Sequence, residues 1–166
     1  MFRTISDFID DWAYESDATL KIFNVLTDQS LNQKVTPNGR SLGKLAWHIT
    51  QSLPNMLNRS GLAIGTEDKS LSVPANVSTI ISEYEKFSKK VSDEIQQKWN
   101  DQSLLEEIDA FGEVWTKGKV LAALIGHQTH HRAQMTVLMR QAGLKVPGVY
   151  GPAKEEWSTM GMPAQE

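Results

Sequence analysis

The chain has 166 residues, a net charge of −3 at neutral pH and no cysteine. The lack of thiols excludes disulfides, thiolate metal sites and a cysteine nucleophile, so any metal must be held through nitrogen and oxygen. The mild negative charge gives no general reason to expect nucleic acid or an anionic membrane as a partner, and the length suits a single domain over 1–166.

The opening MFRTISDFIDDW has aspartates where a signal peptide needs an apolar run. The longest apolar stretch, Val120 to Gly126, is far too short to span a bilayer, so a cytoplasmic protein is expected. The first predicted helix runs from about Ile5 to Leu26, with Ser6 as its N-cap and Ile5, Phe8, Ile9, Trp12, Ile22, Phe23 and Leu26 on one face. After the turn cluster Thr36-Pro37-Asn38-Gly39, Ser41 caps a second helix. Leu42, Leu45, His48, Ile49 and Met56 face inward on it, and Pro54 kinks or ends it. A polar loop leads to a third helix from Val77 to Trp99, with Val77, Ile80, Ile81, Tyr84, Phe87, Val91 and Ile95 at spacings of three and four. Asp101 to Trp115 fits no single pattern. Thr116 caps a fourth helix reaching Gln141 or Ala142, and Gly143 stands where a left-handed C-cap belongs. Leu144 to Glu166 is rich in Gly and Pro and predicts an extended tail. Four long amphipathic helices without a convincing sheet predict an all-α four-helix bundle with a Gly/Pro-rich C-terminal tail.

The fourth helix carries the chemistry. Val120, Leu124, His127, His131, Gln134 and Leu138 follow alternating spacings of four and three, so two histidines and a glutamine stand where a bundle places Leu or Ile. His48 does the same on the second helix. An unpaired buried polar group costs roughly 1–3 kcal/mol, and three of them on inward faces call for a common explanation. A single inward histidine is ordinarily a hydrogen-bonded core residue. His127 and His131, one helical turn apart, joined by His48 make a three-nitrogen metal site instead. His130 is rotated off that face and reads as a surface residue or a neighbour of the ligands. Gln134 reads as a hydrogen-bond partner of a ligand or as pocket wall. The inner stripe of the first helix turns polar at Glu15, Ser16 and Thr19, which can line the cavity beside the metal, and Trp47 is a candidate pocket wall. Arg132 reads as the holder of a surface salt bridge. The stretch His127-Gln128-Thr129-His130-His131 lacks the glutamate that acts as base in HExxH proteases, and no other catalytic group is evident.

These blocks, KLAWHIT, then GHQTHHRAQ, then the tail RQAGLKVPGVYGPAKEEW, resemble the DinB-like (YfiT-like) metalloenzymes in order and spacing over nearly the whole chain. The HxxHHRxQ block and the GVYGP tail are the most specific parts, and Ala133 stands where that family often has glycine. The resemblance implies a four-helix bundle holding a divalent metal (nickel, zinc or iron) through His48, His127 and His131, in many members as a homodimer. Family members with assigned activity include bacillithiol S-transferases and mycothiol-dependent isomerases, which use the metal to activate a low-molecular-weight thiol.

Three protein ligands leave coordination positions open for water or a small-molecule substrate. By resemblance, the first expectation is transfer of a low-molecular-weight thiol to an electrophile. The second is hydrolysis of a small substrate by metal-activated water. A third is a metal-stabilised stress or interaction module without turnover, which requires a closed ion and no concave pocket.

Overall fold

The computed structural model of the chain describes residues 2–67 and 72–163. Helix α1, Ile5–Phe23, is capped two residues earlier than at Ser6. Thr4 is its N-cap, accepting from the Asp7 N–H at 3.1 Å while the Asp7 carboxylate accepts from the Thr4 N–H at 3.1 Å. Helix α2, Leu42–Leu57, is capped by Ser41 and runs three residues past the buried Pro54 before a 3₁₀ turn over Asn58–Ser60. Helix α3, Val77–Lys98, receives its cap from a distance: Asp28, in the α1–α2 connection, accepts from the Val77 N–H at 2.8 Å. Helix α4, Lys117–Gln141, starts at the Thr116 cap, and Gly143 takes the left-handed conformation at φ 74°.

Helix α2 packs on α3 and α4, and α1 packs on the same two. The consecutive helices α1 and α2 therefore lie across a diagonal of the four-helix bundle, so the segment between them crosses one end. A continuous apolar core fills the centre, with Phe8, Trp12, Phe23, Ile49, Leu53, Tyr84, Phe87 and Leu124 fully buried. Among the described residues no helix is long and apolar enough to cross a membrane.

Two expectations are corrected. The ambiguous stretch after α3 forms a 3₁₀ turn and then an antiparallel hairpin, β1 Glu107–Ala110 with β2 Glu113–Thr116, Ala110 pairing with Glu113. Its two-residue loop is Phe111-Gly112, at φ 59° and 82°. Positive φ at both positions matches the right-handed strand twist. Left-handed backbone at a residue with a side chain costs about 1–2 kcal/mol, and Asn, Asp or Gly is the usual occupant. An aromatic residue there disguised the turn.

The tail, in turn, is docked rather than extended. Val146 is buried, Arg140 grips Glu155 through two hydrogen bonds of 3.0 and 3.1 Å, and Glu156 accepts from the backbone N–H groups of Gly148 and Ala153. Residues Lys154–Met160 form a 3₁₀ helix. Gly and Pro here shape a folded strap, because Glu156 from within it and Tyr14 from α1 satisfy backbone groups that a helix would have satisfied.

Candidate metal centre

His127 and His131, four residues apart on α4, stack one above the other with ring centroids 4.5 Å apart. Helix α2 packs against α4 and brings His48 between them, its ring centroid 4.8 Å from His127 and 4.6 Å from His131. One nitrogen from each ring lies within 4.8 Å of the others. The Nε2 atoms of His48 and His127 are 3.0 Å apart. Two imidazole lone pairs at that separation repel unless a proton or a cation sits between them.

The donor set fits a divalent transition metal. Ion–nitrogen bonds of about 2.0–2.1 Å at a tetrahedral centre put the nitrogens about 3.3 Å apart, close to the 3.0 Å between His48 and His127 and within the 4.8 Å that bounds all three. The imidazoles are also kept neutral. Burial, then the neighbouring His131, then the charges of Arg40 and Lys44 push His48 down to about 4. Burial, His131 and His48 do the same to His127, also to about 4. His131 is lowered by burial, although its bond to Gln134 works against the shift. Neutral rings present the lone pairs a metal needs. His131 further has its tautomer set: Nδ1 donates to Gln134 Oε1 at 2.8 Å, which leaves Nε2 as the free donor. Gln134 in turn donates to His130 Nε2 at 3.0 Å.

The triad opens on a cleft of about 610 Å³ that includes His48 and His127 in its lining. Trp47 forms part of that wall, and its indole N–H is buried without a partner. His130 and Gln134 are exposed on the outer side of α4 and meet the triad at His131, Gln134 through its bond to Nδ1 and His130 through that bond chain and an edge-to-face ring contact at 4.9 Å.

The inward stripe of α4 is rotated by about one residue from the expected seam. Leu121, Leu124, Gln128, His131, Met135 and Leu138 are buried, whereas His127 is half-buried on the flank and Gln134 lies outside. The glutamine at the bundle centre is thus Gln128. Its amide donates to the Ile49 carbonyl at 3.2 Å and to Ser52 Oγ at 3.0 Å, and its Oε1 accepts from Tyr84 Oη at 3.2 Å. Arg132, expected at the surface, is only 3 % exposed. It forms a buried ion pair with Glu15 and donates to the Glu15 carbonyl at 2.8 Å, to Thr19 Oγ1 at 3.0 Å and to Tyr150 Oη at 2.6 Å. Glu15 and Thr19 therefore do not line the cleft beside the triad; they are committed to Arg132. The stripe through Leu121, Met135 and Leu138 was the sequence signal that would have placed Gln128 and Arg132 inside. The expected seam was anchored on His127, a flanking residue, and so slipped.

The DinB family profile matches residues 1–165. The chain belongs to the DinB family. Among DinB-family relatives it is 42% identical over 164 residues to YrdA of Bacillus subtilis (strain 168), described as an uncharacterized protein, with 99% of this chain and 98% of that one covered. It is similar to the crystal structure of a DinB-like protein from Bacillus cereus ATCC 10987, with 44% identity and a TM-score of 0.87 over 90% of this chain and all of that one. YfiT from Bacillus subtilis, described as a probable metal-dependent hydrolase with an unusual four-helix bundle topology, shares the fold. Its TM-score is 0.65 at 19% identity, covering 82% of this chain and 88% of YfiT. Two diagonal consecutive helices give the present bundle its own departure from a simple up-and-down order.

Proposed function

We propose that this DinB-family protein is a divalent-metal-dependent enzyme, with His48, His127 and His131 as ligands and a small-molecule substrate in the adjoining cleft. The observation that carries the reading is the convergence of three neutral imidazoles, from two helices, at the wall of a concave cleft. A closed structural site without turnover has no use for such a cleft, so the cleft supports an enzyme over a purely metal-stabilised module. Bound there, a divalent ion supplies the charge that lowers the pKa of a coordinated thiol or water.

The chain's own residues do the rest. His48, His127 and His131 fix the position of the ion, the bond from His131 to Gln134 orients one ligand, and Trp47 forms part of the cleft wall. Among the described residues no carboxylate is hydrogen-bonded to the triad. A thiol, with an ordinary pKa of about 8.5, reaches its reactive anion with less help than water does. That favours transfer of a low-molecular-weight thiol to an electrophile. Hydrolysis is the second reading, supported by the fold shared with YfiT.

The two are separated by assaying the metal-reconstituted protein in parallel. One arm follows consumption of low-molecular-weight thiols in the presence of an aryl halide or bimane electrophile. The other follows release from small ester and amide substrates. Metal-dependent thiol consumption lost in His131→Ala supports transfer. Turnover in the hydrolytic arm alone moves the assignment to a hydrolase, and turnover in neither sinks the enzyme reading for these substrate classes.

A further inference from the structure

The cleft is polarised along its length, and that restricts what fits. Its lining follows one face of α2: Lys44, Trp47, His48, Gln51, Asn55 and Met56 recur at helical spacing, with Arg40 just ahead of the helix. At the rise of an α-helix, Lys44 stands about 6 Å along the axis from His48 on one side, and Asn55 about 10 Å on the other. The positive charge of Arg40 is felt at all three histidines. The far end is different. There Glu67 accepts from Asn55 Nδ2 at 2.7 Å, and Met56 shares the lining with the hairpin's Phe111 and Trp115, whose ring centroids are 5.7 Å apart; Arg59 and Lys119, which do not line the cleft, lie over those two rings at 5.1 and 4.0 Å.

Phe111 is the telling residue. It sits at φ 59° in a two-residue turn where Asn or Gly relieves the strain, and its ring lines the cleft. Strained positions persist where the surrounding structure or a function demands the side chain. Phe111 is half exposed, and its ring packs only against Trp115 and Arg59 at the cleft rim among the described ring contacts, so the core does not account for it.

We propose that the cleft takes an elongated organic anion, its negative group held by Arg40 and Lys44 beside the triad and its apolar body lying against Met56, Phe111 and Trp115. This deepens the metal-enzyme reading by naming the substrate class, and it rests on that reading only for the chemistry. The binding preference stands on the cleft alone.

The test titrates three probes of matched shape into protein in metal-loaded and metal-free form: 4-phenylbutyrate, 4-phenylbutan-1-ol and 4-phenylbutan-1-amine. Metal content is measured on the same samples. The carboxylate is expected to bind about five- to tenfold tighter than the alcohol, the scale of two partly exposed charge contacts. In Arg40→Gln/Lys44→Gln that preference should vanish with the alcohol unchanged, and in Phe111→Ala all three probes should weaken together. A carboxylate preference that survives the double substitution in metal-free protein overturns the proposal. So does an amine that binds best, which would make Glu67 the polar anchor, and so does binding by none of the three. Retention of the preference in protein that takes up no metal leaves this inference standing while the metal-enzyme reading fails.

Discussion

Helix α4 carries two polar clusters on adjoining faces, and they solve the problem of buried polarity in opposite ways. On one face Arg132, Gln128 and their partners bond mainly to one another: the guanidinium meets Glu15, Thr19 and Tyr150 through its terminal nitrogens, with Nε alone of its nitrogens lacking a partner among the described residues, and the Gln128 amide meets Ile49, Ser52 and Tyr84. On the other face the three imidazoles bring one nitrogen each to within 4.8 Å of the others, and among the described residues the only hydrogen-bond contact of these nitrogens is that between His48 and His127. A polar cluster whose charged and polar groups bond chiefly to one another is architecture. One that aims lone pairs at a shared position beside a cleft is a site for something brought from outside.

Two neighbouring residues, His131 and Arg132, break this comparison open. The largest effect is expected from His131→Ala, which should abolish stoichiometric metal uptake, read as metal per chain by elemental mass spectrometry after reconstitution. Its metal-free form should unfold at nearly the urea concentration of the metal-free parent. Arg132→Ala should do the reverse. Removing one member of a buried ion pair costs about 3–5 kcal/mol because the other charge is left unpaired. The loss, measured by urea unfolding, should come with metal stoichiometry intact. If Arg132→Ala lost the metal at unchanged stability, the division between the two faces would be wrong.

A milder substitution sharpens the boundary. Gln134 lies outside the bundle and touches the site only through His131 Nδ1. Gln134→Ala should keep one metal per chain and lower the affinity about tenfold, the low end for residues that orient a ligand from behind. Gln134→Glu, which keeps an acceptor for the Nδ1–H, should restore it in competition titrations against a chelator.

The helices, most of their caps and the meeting of His48 with His127 and His131 were legible in the sequence, because four- and three-residue spacings constrain which side chains can share a face. The rotation of α4 was not. Its inward stripe includes Gln128, His131 and Arg132, so polarity no longer marks the outside, and a seam drawn through His127 and Gln134 looked equally regular. The hairpin was hidden for a similar reason: Phe111 occupies a turn position that a sequence reading assigns to Asn or Gly. Nor could local pattern show that Tyr150, far along the chain, reaches back to Glu15 at 2.7 Å, since that bond exists only once the tail has folded over α1 and α4. In each case the missing information was a tertiary partner.

The smallest effect expected is one of pH, and it separates the two clusters by a property of the metal-free protein. His48 and His127 are held at about 4, below the ordinary histidine value, first by burial and then by neighbouring positive charge. Between that value and the ordinary value of about 6.5 the unfolded chain binds more protons than the folded one. Stability should therefore rise with pH across this window, level off above it, and be lost progressively as pH falls toward 4. The carboxylates whose values are lowered, such as Glu94 and Glu106, start from 4.5 and so act below most of the window. Urea midpoints of chelator-treated protein between pH 5 and pH 7 isolate the histidines. His48→Ala/His127→Ala/His131→Ala should flatten the slope, because burial lowers all three histidines. A slope that survives the triple histidine substitution would place the titrating group elsewhere, and the picture of an apo triad kept neutral by its own burial would have to be abandoned.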